Sequence, residues 1–263
     1  MTSLFRDGIL ADRVAFVTGG ATGIGFGIAR ALVEAGAAVA LASRKREHLD
    51  AAVQHLEQLG GRAIAVETNV REPEAVVAAV ARARDELGRI DVLVNNAAGN
   101  FYAPSAELSP NGWRAVVETD LYGTFFCSQA VYPVMRDQGG GCIISISMTL
   151  HYRGWPRMAH ATAAKAGVDA LTRTLALEWA PDGITVNAIA PGPVPTEGAS
   201  AAFAKGGTGG GAIDEEMRRV IPLGRWGTPA DIGQMAVYLA SPAGSWITGA
   251  IMVVDGGSSL ARL

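Results

Sequence analysis

The chain has 263 residues, of which 49% are hydrophobic and only 6% aromatic, and its formal net charge is −3. This length suffices for one large α/β domain or two small ones, and the charge gives no electrostatic footprint for nucleic acid or an anionic membrane. Cys127 and Cys142 stand in no metal-like spacing, the N-terminus lacks a signal-like pattern and no uncharged apolar run reaches ~18 residues, so we expect no metal, no secretion and no membrane insertion.

Strand-like runs and helix-like segments alternate along the chain. The strand-like runs cover residues 14–18, 37–42, 63–67, 90–95, 142–147, 184–190 and 250–254. Helical periodicity covers roughly residues 24–35, 45–59, 72–87, 110–137, 158–180 and 229–240. With no Pro- or Ser-rich linker, this alternation predicts one α/β domain over residues 1–263, a doubly wound sheet of seven parallel strands with helices on both faces. In such sheets, ligands bind beyond the carboxyl ends of the strands.

The first strand runs into a glycine-rich turn that opens the first helix. Its spacing, Gly19-x3-Gly23-x-Gly25, departs from the G-x-G-x-x-G dinucleotide fingerprint. Glycines permit a sharp turn close to a pyrophosphate, whose charge is favoured by the unpaired N–H groups of a helix start. We expect phosphate contacts here, with a ligand-free turn as the alternative; the contacting residues would be Gly19, Thr22, Gly23, Ile24 and Gly25.

The ends of the second and third strands bear on the choice of cofactor. A carboxylate after the second strand would bind the ribose hydroxyls of NAD and repel the extra phosphate of NADP. Ser43 and Arg44 stand there instead, a hydroxyl and a cation suited to a 2′-phosphate, which predicts NADP(H). A solvated helix start is the alternative interpretation of Arg44. Asn69 and Val70, after the third strand, are placed to contact the adenine.

The fourth strand leads into Asn95-Asn96-Ala97-Ala98-Gly99-Asn100-Phe101. Together with the glycine turn, with Lys165-Ala166-Gly167-Val168 and with Val186–Pro193, this stretch resembles the short-chain dehydrogenase/reductase family over about residues 10–257. The resemblance implies a Rossmann-type fold, a nicotinamide cofactor and commonly a homotetramer. It further implies that the cofactor is contacted by Asn96, Ala97, Ala98, Lys165, Pro191, Gly192, Val194 and Thr196.

The residues expected to carry the chemistry depart from the family pattern. Most members act on a carbonyl with a Tyr one helical turn before a Lys, a Ser further upstream and an Asn on the preceding long helix. Lys165 is present, but the Tyr, Ser and Asn positions hold Ala161, Met148 and Asp120. Hydride addition to a ketone gives an alkoxide that requires a positioned proton donor, and alanine cannot supply one. Ordinary carbonyl reduction is therefore disfavoured.

A conjugated thioester makes a different demand, because hydride addition at its far end gives an enolate that needs donors at oxygen and a later proton at carbon. This chemistry tolerates the loss of the Tyr. Asn96–Phe101, Asp120, His160–Lys165 and Pro191–Gly198 are similar to the peroxisomal type of 2,4-dienoyl-CoA reductase. The similarity implies NADPH-dependent conversion of 2,4-dienoyl-CoA to 3-enoyl-CoA, with Asp120 and Lys165 as the catalytic pair.

Periodicity also singles out Asp120. It falls on a largely apolar stripe of the helix predicted at 110–137, and Lys165 lies on the inward stripe of the next helix. A Lys–Asp pair would satisfy two charges that burial otherwise penalises. The carboxylate either passes a proton through water to the α-carbon, with Lys165 supporting the oxyanion, or belongs to a structural ion pair. The stripe comprises Trp113, Val117, Asp120, Thr124, Cys127 and Val131.

Other side chains are expected to line the substrate pocket rather than to act as acids; they are Asn100, Phe101, His151, Tyr152 and His160. Residues 197–219 are expected to form a lid-like insertion. Two other functions stay open: a carbonyl or 3-oxoacyl reductase with His151 or Tyr152 as replacement donor, and an NADP-binding scaffold without turnover. Reduction of a 2-enoyl-CoA or a cyclic enoyl-CoA is a near alternative within the first function.

The expected partner is an acyl-CoA substrate, with no nucleic acid and no membrane. The Ala- and Gly-rich composition indicates a cytoplasmic protein. The ending Ala261-Arg262-Leu263 is close to the S-K-L type of peroxisomal address, which makes the peroxisomal matrix the alternative location.

Overall fold

The structure, a computed structural model, describes residues 8–196 and 221–261, so the predicted lid at 197–219 lies outside the described residues. Within those ranges, no helix combines the length and the apolar character needed to cross a bilayer. The strands are β1 Val14–Thr18, β2 Ala38–Ser43, β3 Ala63–Glu67, β4 Val92–Asn95, β5 Gly141–Ile146, β6 Ile184–Pro191 and β7 Ile251–Val254. The helices are α1 Gly23–Glu34, α2 Arg46–Gln58, α3 Pro73–Leu87, α4 Pro110–Val117, α5 Gly123–Asp137, α6 Ala159–Trp179 and α7 Pro229–Ala240.

The strands form one parallel sheet in the order β3-β2-β1-β4-β5-β6-β7, which confirms the predicted seven-stranded, doubly wound α/β fold of Rossmann type. β1 pairs with β2 on one side and with β4 on the other, with Val17 opposite Leu41 and Val94. The chain order reverses between β1 and β4. In open α/β sheets, the carboxyl ends of the strands at such a reversal border a crevice that binds ligands.

Helices pack on both faces because the side chains of each strand alternate between them. In β1, Ala15 and Val17 join the core under α1, α2 and α7, whereas Phe16 joins the core under α3, α5 and α6. α1 and α7 approach so closely that a Cβ on Gly27 would lie 2.3 Å from the Pro229 Cβ. The helix that opens at the glycine turn is thereby fixed against the C-terminal part of the fold.

The helix predicted over 110–137 is not continuous. α4 and α5 are joined by a π-helical turn, Glu118–Tyr122, in which the Gly123 N–H donates to the Glu118 carbonyl, five residues back. Turns of this kind are rare in proteins, and many of those that are known lie at functional sites. Asp120 lies in the middle of this turn.

The predicted apolar stripe is therefore correct only from the π turn onward. Asp120, Thr124, Cys127 and Val131 are buried as expected. In α4, however, Trp113 is 41% exposed, and Val116 rather than Val117 is buried. The reason is that α4 is a separate short helix with one buried residue, and the wide turn shifts its phase relative to α5.

Candidate active site

Two polar side chains hold the turn after β1 against the loop after β4. Thr18 Oγ1 donates to the Val94 carbonyl at 3.2 Å and accepts from the Asn96 and Ala97 N–H groups at 3.0 and 3.1 Å. The Asn96 amide donates to the Thr18 and Gly19 carbonyls at 3.1 and 3.0 Å. The Asn96 side chain, predicted to contact the cofactor, is thus engaged in holding the glycine turn.

The glycine turn fits a pyrophosphate at the N-terminus of α1. A Cβ on Gly25 would lie 2.2 Å from the Gly19 carbonyl oxygen, so a larger residue would displace the turn. The N-cap residue Thr22 makes no side-chain hydrogen bond to the helix, which leaves the first N–H groups without a side-chain cap. Thr196 lies beside Gly23, where a Cβ would be 3.3 Å from its side chain. Unpaired N–H groups at a positive helix end favour phosphate.

The residues after β2 and β3 differ in whether their side chains are buried or already bonded to other residues of the protein. Ser43 is half-buried, and Arg44 is exposed and forms no ion pair with any residue in 8–196 or 221–261. The Asn69 amide donates to Glu72 Oε1 at 2.7 Å at the start of α3, and Val70 is buried. Of the four, Arg44 is the side chain most available to a phosphate.

The segment after β6 is anchored to β7. The Gly192 N–H donates to the Val254 carbonyl at 3.0 Å, and a Cβ on Gly192 would lie 2.6 Å from the Asp255 Cα. The Val194 side chain is buried in the core under α1 and α7. A contact between Val194 and a ligand would therefore come from its backbone.

A buried carboxylate and a buried ammonium group face each other between the π turn and α6. Asp120 is 0% exposed and Lys165 is 3% exposed. Asp120 Oδ1 accepts from the Gly99 N–H at 2.9 Å, and Oδ2 lies 3.6 Å from Lys165 Nζ. Lys165 Nζ donates to the Ile146 carbonyl, at the end of β5, at 2.7 Å. The structure brings together the two residues that the sequence predicts as the catalytic pair.

Burial raises the pKa of the Asp120 carboxyl, and the Lys165 ammonium and the Gly99 N–H oppose this rise. Ala161, one helical turn before Lys165, is fully buried, and its methyl group carries no transferable proton. On one side, Ala161 belongs to a cluster of hydrophobic side chains, which also contains Val116, Met158, Phe101, Tyr102, Met148 and Trp155. The site thus combines an apolar wall with a carboxyl group that keeps its proton to a higher pH than an exposed one.

The predicted pocket-lining residues lie in the loops after β4 and β5 and at the start of α6. Phe101 and His160 are in edge-to-face contact, with ring centroids 4.5 Å apart. Asn100 is exposed, and Tyr152 is 45% exposed with its ring edge-on to His151. All four predicted substrate residues therefore border the same end of the sheet as Asp120 and Lys165.

A second buried carboxylate, Asp169, is a site residue that the sequence analysis missed. Its Oδ2 lies 2.8 Å from His151 Nε2, and its Oδ1 accepts from Ser147 Oγ at 2.5 Å. His151, one of the alternative proton donors, is thus engaged in a buried pair with 9% of its side chain exposed. Asp169 lies one turn after Lys165 on the inward face of α6. Asp169 follows the same pattern as Asp120, a carboxylate on an apolar helical stripe, so the periodicity of the sequence indicates both residues.

Known proteins resemble the chain over almost its whole length. A family model described as Enoyl-(Acyl carrier protein) reductase matches residues 19–259. The (3E)-enoyl-CoA-producing peroxisomal 2,4-dienoyl-CoA reductase of Danio rerio is 41% identical over 261 residues, covering 98% of this chain and 85% of the relative. The (2E)-enoyl-CoA-producing probable 2,4-dienoyl-CoA reductase of Bacillus subtilis is 39% identical over 257 residues, covering 95% and 98%. A putative short-chain alcohol dehydrogenase from Sinorhizobium meliloti 1021, known by crystal structure, has a TM-score of 0.90 at 39% identity, covering 96% and 98%.

Proposed function

Because the chain belongs to the short-chain dehydrogenase/reductase family, we propose that it reduces an unsaturated acyl-CoA thioester with NADPH, converting 2,4-dienoyl-CoA to 3-enoyl-CoA. Relatives that are 41% and 39% identical carry 2,4-dienoyl-CoA reductase in their names. The observation that carries the proposal is the buried pair of Asp120 and Lys165 beside Ala161, at a site where a carbonyl reductase of this family needs a phenol.

The electronic demand of a dienoyl thioester matches this set of residues. Hydride addition to a ketone places a full charge on one oxygen and requires an acid beside it. Hydride addition at C5 of a dienoyl thioester spreads the charge over C2, C4 and the carbonyl oxygen, so hydrogen-bond donors suffice at oxygen and the proton is needed at carbon. A bound NADPH would supply the hydride.

Lys165 and Asp120 have different roles in the proposed reaction: Lys165 stabilises charge, and Asp120 supplies a proton. Lys165 Nζ, held by the Ile146 carbonyl, stabilises negative charge at the thioester oxygen and orients the cofactor ribose. Asp120, whose pKa is raised by burial, retains a proton that passes through water to C2. Protonation at C2 gives the 3-enoyl product, whereas protonation at C4 would give the 2-enoyl product. The placement of this acid therefore decides which isomer forms.

The cofactor would be held by the glycine turn and by the loops after β2, β4 and β6. Ala97 lies beside the glycine turn, where a Cβ on Gly19 would be 3.0 Å from the Ala97 Cα, and Thr196, after β6, lies beside Gly23. The backbones of Ala97 and Ala98, and of Pro191 to Val194, are the proposed contacts. The acyl chain would lie along the apolar wall beside Ala161, near Phe101 and Tyr102, with Tyr152 as a further proposed contact. Asn100, which is exposed, is available for polar contact with the thioester or the coenzyme A part.

A substrate panel tests the proposal. The purified protein should oxidise NADPH with 2,4-dienoyl-CoA and give 3-enoyl-CoA, and in D2O the product should carry deuterium at C2. Turnover with 3-oxoacyl-CoA or simple ketones but not with unsaturated thioesters would refute the proposal in favour of a carbonyl reductase. Turnover with 2-enoyl-CoA alone would identify a different unsaturated substrate. Cofactor binding without turnover of any compound would leave the scaffold function.

Arg44 should determine the preference for NADPH. We expect Arg44→Ala to raise KM for NADPH about tenfold or more, because one charge-assisted contact to the 2′-phosphate is lost, while KM for NADH stays nearly unchanged. Arg46→Ala is the matched control, since Arg46 is paired with Asp50 at 2.8 Å. Equal changes for both cofactors in Arg44→Ala would remove the reason for assigning NADPH.

We also infer a homotetramer and a cytoplasmic location. Several large apolar side chains are exposed on the single chain, among them Trp246 at 97% and Leu177 at 82%, and exposed apolar surface is typical of subunit interfaces. The alternative location is the peroxisomal matrix, because several relatives are named peroxisomal 2,4-dienoyl-CoA reductases. Import that depends on the last three residues would decide between the two.

A further inference from the structure

Two fully buried polar atoms beside Ala161 have no hydrogen-bond partner among the described residues. They are His160 Nε2 and Asp120 Oδ2, and both side chains are 0% exposed. Buried polar groups in folded proteins nearly always have a partner, because leaving one unpaired forfeits its interaction with water. Two such atoms at one place indicate a ligand that hydrogen-bonds to both.

The orientation and protonation of His160 are set by its neighbours. Nδ1 accepts the Ala161 N–H at 2.8 Å, which places the proton of a neutral ring on Nε2. Burial lowers the pKa of His160, and the Asp120 carboxyl and the backbone groups of Met158 and Phe101 oppose this shift. The edge-to-face contact with Phe101 restricts rotation of the ring. His160 therefore presents one N–H donor in a fixed direction.

Asp120 Oδ2 is the complementary group. Oδ1 is occupied by the Gly99 N–H, and Lys165 Nζ is 3.6 Å from Oδ2, which is beyond hydrogen-bond distance. Asp120 and His160 are close enough for each to influence the pKa of the other. A buried water usually makes two to four hydrogen bonds, and this pair offers one donor and one carboxyl oxygen.

We propose that His160 is a positioning residue whose Nε2–H, together with Asp120 Oδ2, holds the water that protonates C2 of the substrate. The inference rests on the proposed function. In this step, the water gives a proton to C2, where the electron pair of the dienolate forms the new C–H bond. The water regains a proton from the Asp120 carboxyl, which is later reprotonated by solvent. The Nε2–H stays on His160, and its hydrogen bond stabilises the water oxygen while the water gives its proton to C2.

The test compares two variants of similar size. His160→Phe keeps an aromatic ring and removes the donor, whereas His160→Gln keeps a neutral N–H donor. We expect kcat to fall roughly 10²-fold in His160→Phe through misplacement of the proton donor, with KM for both substrates nearly unchanged, and to recover largely in His160→Gln. The solvent isotope effect on kcat should increase in His160→Phe, because proton transfer becomes slower relative to hydride transfer. Equal losses in both variants, or a change in KM alone, would show a packing role and overturn the proposal.

A second measurement does not depend on activity. A high-resolution crystal structure with NADP bound should show a water within hydrogen-bond distance of both His160 Nε2 and Asp120 Oδ2, and ¹⁵N NMR should show the Nε2-protonated tautomer. An active dienoyl-CoA reductase without this water would overturn the inference alone. A protein that holds the water but does not reduce dienoyl-CoA would refute the proposed function, and with it the role of the water in protonating C2.

Discussion

Replacing Asp120 with asparagine should lower kcat for 2,4-dienoyl-CoA reduction by about 10²-fold or more, with little change in KM for NADPH. Asparagine has nearly the shape of aspartate, and its oxygen can still accept the Gly99 N–H, so the turn should keep its conformation. The amide cannot pass a proton to water. Steady-state and single-turnover rates, with the thermal unfolding midpoint as a check on folding, measure the effect.

The dependence of kcat on pH tests the role of the Asp120 carboxyl as well. In the proposed mechanism, the acid form of Asp120 is the active one, and it is lost as pH rises through the pKa of this group. Since burial raises that pKa, the fall in kcat should come at higher pH than for an exposed aspartate, and it should be absent in Asp120→Asn. Asp137→Asn, an exposed carboxylate at the end of α5, is the control. A wild-type rate in Asp120→Asn would show that the carboxylate is structural.

Lys165→Met should cost a similar factor in kcat, roughly 10², because the donor at the thioester oxygen is lost. It should also raise KM for NADPH, since the proposed contact with the ribose disappears. At a pH above the pKa of Asp120, where the pair is ionised, it should also lower the free energy of unfolding, by about 3 kcal/mol, because the Asp120 carboxylate would be left buried without its opposite charge. Urea unfolding above that pKa measures this loss.

The double variant separates catalysis from stability. Asp120→Asn combined with Lys165→Met removes both charges, so most of the lost stability should return while activity stays low. Lys45→Met, at the exposed N-terminus of α2, should change neither quantity. If the double variant were as unstable as Lys165→Met alone, the destabilisation would come from lost packing or from the bond to the Ile146 carbonyl, and not from an unpaired charge.

The sheet could be predicted from the sequence because β1 to β6 are short, mostly buried apolar runs, each followed by a periodic helix. The positions of Asp120 and Lys165 could be predicted as well, since a charged residue on an apolar stripe implies burial and burial implies a partner. These inferences use only period and polarity, which the sequence contains.

The side-chain hydrogen bonds of the site could not be predicted, because they depend on the directions in which the side chains point. The Asn96 amide is used by the glycine turn, and the Asn69 amide is used by the start of α3. The pairing of His151 with Asp169 joins two segments whose distance in space no local pattern contains. The break between α4 and α5 was missed because α4 is short and has one buried residue, so its shift in phase relative to α5 leaves little trace in the hydrophobic pattern.

The π turn between α4 and α5 determines how the Asp120 carboxyl group is oriented. Each residue advances an α-helix by about 100°, so restoring regular winding by deleting one residue between Glu118 and Tyr122 would rotate α4 by that angle relative to α5. Asp120 would then lose its alignment with the Gly99 N–H or with Lys165, although every side chain of the site was still present. The contacts of Asp120 thus depend on the number of residues in this turn, and we expect an insertion or deletion here to lower activity more than most substitutions.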